Sequence, residues 1–184
     1  MTSSSRGSIL LFVLAAFLAT SSSAPSSENK CQLDFEVLAE NAVGSIAPGE
    51  RLQGNVSFTV VSSLRQGSET VSYITEGTMR VAAENRGAIA GKIRRVHVIR
   101  TPYTADYISI DAAKVAGDLG GEHSYADPML LTLYAAPGTL QSSDVPGTES
   151  EWNALSKRRV FQVHTPTATE AFFGSVERLT GSCG

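Results

Sequence analysis

Histidines 97, 123 and 164 are the side chains of this 184-residue chain best suited to acid–base or metal chemistry near neutral pH. With Asp106, Glu122 or Asp127 nearby, imidazole and carboxylate would supply the donors that zinc or iron prefers. The spacing argues against it. No two histidines stand at a ligand interval, and Glu122 and His123 are adjacent, so alternation along an extended chain points them apart. A nucleophilic centre has equally little support: there is no Gly-x-Ser-x-Gly elbow, and the only cysteines are Cys31 and Cys183. The acids Asp106, Asp111, Asp118, Glu122 and Asp127 cluster ahead of or around glycines, as solvated loops do. A small secreted hydrolase or metal-dependent enzyme using His123 with Asp127 or Glu122 is therefore the alternative reading. No catalytic residue, metal site or cofactor is expected.

Binding chemistry has better candidates. Lys92, Arg94, Arg95, His97 and Arg100 make a basic stretch that could hold an anion. The same charges would equally keep a solvent-facing strand from aggregating. The sole tryptophan, Trp152, with Tyr134 and the polar loop Leu140–Pro146 containing Asp144, could stack on a sugar or anchor a partner, although a large aromatic is more often packed inside. The candidate binding residues are thus Trp152, Tyr134, Asp144, Arg95 and His97. Asn55-Val56-Ser57 is a glycosylation sequon, meaningful only in a eukaryotic host.

The compartment follows from the two ends. Arg6 precedes the apolar run Ile9–Ala19, and small residues follow it. That is the pattern of a secretory signal over residues 1–23, and the run is shorter than the roughly 20 residues a membrane helix needs. The mature chain, 24–184, is expected to be a single domain that is secreted, or otherwise periplasmic or extracellular, with no membrane span. Its cysteines stand near its two ends, so the simplest pairing in an oxidising compartment is Cys31 with Cys183, which makes the first and last strands neighbours. The net charge of −3 makes nucleic acid an unexpected partner.

The elements that must position these residues read as strands. Ile89–Asp111 forms two long strands folded back through Thr101–Thr104, with Val96 and Val98 on one face, Arg95 and His97 on the other, and a bulge at Arg94-Arg95. Cys31–Val37 alternates strictly, and Leu52–Val60 follows suit. Thr70–Ile74 and Thr78–Ala83 read as a hairpin turning at Glu76-Gly77. Ala112–Gly121 could make a helical turn, and Met129–Ala135 is apolar on both faces. Thr148-x-x-Glu151 is a capping box opening a short helix through Trp152. Two strands, Val160–His164 and Ala171–Thr180, complete a set of about nine. The expected fold is all-β, an antiparallel β-sandwich with one short helix, and a closed β-barrel is the alternative.

The order of Gly54-x-x-x-Phe58, Asp106-Tyr-Ile-Ser-Ile110, Leu131-Thr-Leu133-Tyr134, Leu140-x-Ser-Ser-Asp-x-Pro146 and Phe173-Gly-Ser-Val-x-x-Leu179 resembles exported bacterial β-sandwich domains of unassigned function. Some of those are followed by a C-terminal sorting helix, whereas this chain closes on Cys183-Gly184. The resemblance implies a fold and a compartment and no activity. The function expected from the residues is a non-catalytic structural or binding role, with a glycan or another cell-envelope protein as partner.

Overall fold

The computed structural model describes residues 30–120, 124–166 and 171–184. The expected signal segment, the start of the mature domain at residue 24, and the candidate pair Glu122 and His123 lie outside them. Eight strands and one helix follow in order: β1 (Lys30–Ala39), β2 (Arg51–Gln66), β3 (Thr70–Ala83), β4 (Gly87–Ile99), β5 (Asp106–Gly117), β6 (Ala126–Ala135), α1 (Glu149–Ala154), β7 (Arg158–His164) and β8 (Ala171–Cys183). Each strand pairs antiparallel with the next, and β8 returns to pair with β1, so the sheet closes into a barrel.

The all-β class and the short helix are as expected. The sandwich is not, and the closed alternative is what forms. Both architectures produce the same inward–outward alternation along each strand, so alternation cannot separate them. Closure depends on the one long-range ladder, β1 with β8, and Cys31 lies directly opposite Cys183 in that ladder. The disulfide between them joins residues 152 apart and ties the first strand to the last.

Three local expectations also change. Glu76-Gly77 is not a turn: β3 runs through it with a bulge, and β2 extends to a turn at Gly67 instead. Glycine is needed at position 77 because a Cβ there would stand 2.1 Å from the Ser57 carbonyl oxygen, so close approach of β2 requires it. Ala112–Gly117 is strand and not helix, with Lys114 in the left-handed region at φ 54° where β4 and β5 slip register. The apolar run of β6 does not mark a strand buried on both faces. Leu131 and Leu133 point in, while Leu130 and Tyr134 point out and remain half-exposed. The bulge at Arg94-Arg95 is present, as a register shift between Ile93 and Arg95.

The barrel interior is a packed apolar core. Leu33, Phe58, Ile108, Leu131, Phe161 and Phe172 are among its fully buried side chains, and Phe161 lies between Phe35 and Phe172 at centroid distances of 6.1 and 6.0 Å. Both ends are stoppered by loops. Val43, Ile46, Leu119 and Tyr125 close one end, and Leu140, Trp152 and Leu155 close the other. The outward positions of β1 and β2, such as Gln32, Asp34, Gln53 and Asn55, are polar, the reverse of a lipid-facing barrel wall. Among the described residues, no helix is long and apolar enough to cross a membrane. Function, in such a body, has to be sought on the outside.

Candidate functional site

The segment from Ala136 to Lys157 folds over one barrel mouth. Thr148 caps α1: its hydroxyl accepts from the Glu151 amide, and the Glu151 carboxylate accepts from the Thr148 amide at 2.9 Å. The bond from the Thr148 amide, with others from the Thr148 hydroxyl and the Gly147 amide, holds the Glu151 carboxyl below its usual range. Trp152 is thereby turned inward and is 0% exposed, so it is a plug of the core and offers no surface to a ligand. This corrects its place among the binding candidates. The capping box that orients α1 also sends its one large apolar side chain to the core. Asp144 is exposed on the loop, 3.4 Å from the Tyr73 hydroxyl, which donates a 2.8 Å bond to the Ser143 carbonyl. Burial, followed by the nearby Asp144, raises the Tyr73 pKa. Asp144 therefore belongs to the junction of the loop with the β2–β3 hairpin, near the Cys31–Cys183 seam.

The acid–base candidates do not converge. His97 and Ser72 share a 2.9 Å hydrogen bond through Nδ1. Burial depresses the His97 pKa, with Asp111 opposing and Arg95 adding to the depression. A serine beside a histidine suggests acyl transfer, but Ser72 is only 7% exposed and its hydroxyl is turned along the sheet to the imidazole. His164 accepts from the Gln162 amide at 2.7 Å. Asp127 accepts from the Val115 amide at 2.9 Å, and that bond, with one from the Lys114 amide, lowers its pKa. It serves as a backbone clamp for the β5 bulge. No group of three or more histidine, cysteine, aspartate or glutamate side chains suited to a metal ion occurs among the described residues.

What the barrel does bring together is an outer wall on β4 to β7. Inward-facing Val98, Ile108, Leu133 and Phe161 force their neighbours outward. One outer row reads Ile99, Tyr107, Tyr134 and Arg158 across four strands. The next reads His97, Ser109, Thr132 and Val160, and the third Arg95, Asp111, Leu130 and Gln162. Tyr107 and Tyr134 are directly cross-strand, with ring centroids 5.4 Å apart and planes tilted by 34°. Beside them lies a shallow hollow of about 400 Å³ lined by Ala105, Tyr134, Lys157 and Arg158. The Lys157 amide donates to the Tyr134 carbonyl at 2.9 Å, and Arg159 donates to the Leu155 and Asn153 carbonyls at 2.7 and 3.1 Å. The segment carrying the two cations is thus fixed to both β6 and the end of α1.

Arg95, His97 and Tyr134, then, share one wall, while Trp152 and Asp144 do not belong to it. Tyr107, Lys157 and Arg158 are the members that sequence reasoning passed over. Tyr107 is legible as outward from the alternation of Asp106–Ile110, but its partner is known only once the β5–β6 register is. Lys157 and Arg158 look like charges for the helix C-terminus, a role that Arg159 alone performs. Compared with known protein families, curated proteins and solved structures, the chain matches none.

Proposed function

We propose that this protein is a non-catalytic binding module working outside the cytoplasm, and that it recognises a glycan on the β4–β7 wall. The observation that carries the reading is the Tyr107–Tyr134 pair, two aromatic rings side by side and half-exposed on the barrel exterior, flanked by a hollow with two cations. A sugar ring presents an apolar C–H face, which an exposed aromatic covers, while its hydroxyls take hydrogen bonds from the surrounding polar groups. A site of this kind is open and shallow, as suits a segment of a longer chain. The packed core supports the same reading from the other side, because a ligand carried inside the barrel would need the volume that Phe58, Phe161 and Phe172 fill.

The Cys31–Cys183 disulfide supports an oxidising, non-cytoplasmic setting. The signal pattern and the resemblance to exported domains point to secretion, and a cell-surface or envelope glycan is available there. The test is a titration of the oxidised protein against a panel of soluble oligosaccharides, repeated with Tyr134→Ala. At least one oligosaccharide should bind, and the substitution should weaken it by about tenfold or more while circular dichroism shows the barrel still folded. Binding that survives Tyr134→Ala unchanged would remove the wall from consideration.

A further inference from the structure

We infer that the glycan is acidic and that a uronic acid carboxylate is held by Arg158, with Lys157 beside it and the sugar ring over Tyr134. The inference rests on the glycan reading above and adds the chemical class of the ligand.

The argument begins with charge. The chain as a whole is acidic, with 18 Asp and Glu against 15 Lys and Arg. Some of its other arginines are paired: Arg51 with Glu36 and Glu177, and Arg86 with Glu50. On the β4–β7 wall the balance reverses. Arg95, Lys157 and Arg158 are all exposed, and among the described residues none of them forms an ion pair. Two acids on the neighbouring segments are committed to other partners. Glu151 holds the amides that start α1, and Asp106 accepts from the Thr101 and Leu140 amides at 3.0 and 2.9 Å from inside the barrel mouth. Asp111 is the one acid in the outer rows, and it faces Arg94 at 3.7 Å.

Geometry then selects the anion. Arg158 lies opposite Tyr134 in the ladder, so its guanidinium and the tyrosine ring leave the same face of adjacent strands. A planar guanidinium takes a planar carboxylate through two parallel hydrogen bonds, and a lysine adds charge without that directionality. In a uronic acid the carboxylate is attached to the ring itself. A ring seated on Tyr134 therefore carries its carboxylate toward the next strand, where Arg158 is. The row from Arg158 through Tyr134 and Tyr107 to Ile99 spans four strands, about 14 Å at normal strand spacing. That accommodates a short oligomer with Arg95 on the far strand, two rows along from Ile99, facing a later carboxylate.

The experiment is calorimetric titration of the full mature, oxidised protein with three probes: an oligogalacturonate, a neutral galacto-oligosaccharide of the same length, and dextran sulfate. The oligogalacturonate should bind, and both Arg158→Gln and Tyr134→Ala should weaken it about tenfold or more. Arg158→Lys should restore only part of the loss, since it returns the charge without the fork. The neutral oligosaccharide should give no measurable heat. If the neutral probe binds as well as the acidic one, the acidic class is overturned and the glycan reading stands. If neither binds, the acidic class is overturned, and the glycan reading is decided by the wider oligosaccharide panel. Dextran sulfate binding as tightly as oligogalacturonate, and indifferent to Tyr134→Ala, would mean unselective ionic attraction and would also overturn the inference. Arg158 is exposed and outside the core, so circular dichroism of the variants should match the parent.

Discussion

Two stretches of the same barrel wall use their polar side chains in opposite ways. At the closing seam of β1, β2 and β8, polar groups are spent on one another. Arg51 lies between Glu36 and Glu177, Gln53 donates to Glu36 at 3.1 Å, and Asn55 donates to Asp34 at 2.7 Å, along the same strands that the Cys31–Cys183 bridge ties together at their other end. Across the barrel, on β4 to β7, cations and tyrosine rings face water with few partners of their own. The seam is built to stay shut, whereas the wall leaves its cations and rings exposed. A stable seam and the proposed binding face are thus separated around one closed sheet, and substitutions should separate them too.

The largest effect should come at the seam. Cys31→Ser with Cys183→Ser removes a closed loop of some 150 residues and should cost about 4–5 kcal/mol in urea unfolding, with glycan affinity unchanged under conditions where the barrel is still folded. A cost under about 1 kcal/mol would mean that the β1–β8 ladder closes the barrel without help. Within β7 the contrast is between neighbours of opposite facing. Phe161→Ala should cost about 3–5 kcal/mol because its ring fills the core between Phe35 and Phe172, whereas Arg158→Gln should stay within about 0.5 kcal/mol of the parent. Thr148→Ala should cost about 1 kcal/mol by uncapping α1. Tyr134→Ala should cost no more than about 1.5 kcal/mol beyond its lost surface burial, and its main effect should be on binding.

The two regions should also differ in acid. His97 is held below its ordinary 6.5 by burial, so the unfolded chain takes up a proton first as pH falls through that value. Stability from the wall should therefore begin to decline below about pH 6.5, and His97→Gln should flatten that part of the profile. Glu36 is held below its ordinary 4.5, first by the hydrogen bond from Gln53, and also by Arg51, against the opposing effect of burial. Its contribution should persist until the pH falls below that value. A pH–stability curve that is flat from 7 to 5 in the parent would contradict the assignment to His97.

The elements of this fold were legible residue by residue, but their closure was not. Cys31–Val37 and Leu52–Val60 declare themselves by alternation, and the Arg94-Arg95 bulge by a slip in apolar phase. The pairing of Cys31 with Cys183 already demands that the first and last strands be neighbours. In a chain of sequential hairpins that demand is the closing of a barrel, and the sandwich ignores it. Gly77 misleads because a glycine needed for close approach of two strands looks the same in sequence as one needed for a turn. Of the candidate binding residues, Arg95, His97 and Tyr134 lie on the wall, while Trp152 is drawn inward by its helix cap. Tyr107 and Arg158 become neighbours of Tyr134 only through the β5–β6–β7 register, which no local pattern contains.

The central claim is that ligand recognition occurs on the outside of a sealed barrel, at Tyr107, Tyr134 and Arg158. Heteronuclear NMR of the oxidised protein titrated with oligogalacturonate addresses it most directly. The account predicts shift changes confined to the backbone amides of β5, β6 and β7 around these residues and to Lys157, with the core methyls of Leu131, Leu133 and Ile108 unmoved. Shift changes concentrated in those methyls, or at the Cys31–Cys183 seam with the wall silent, would contradict it.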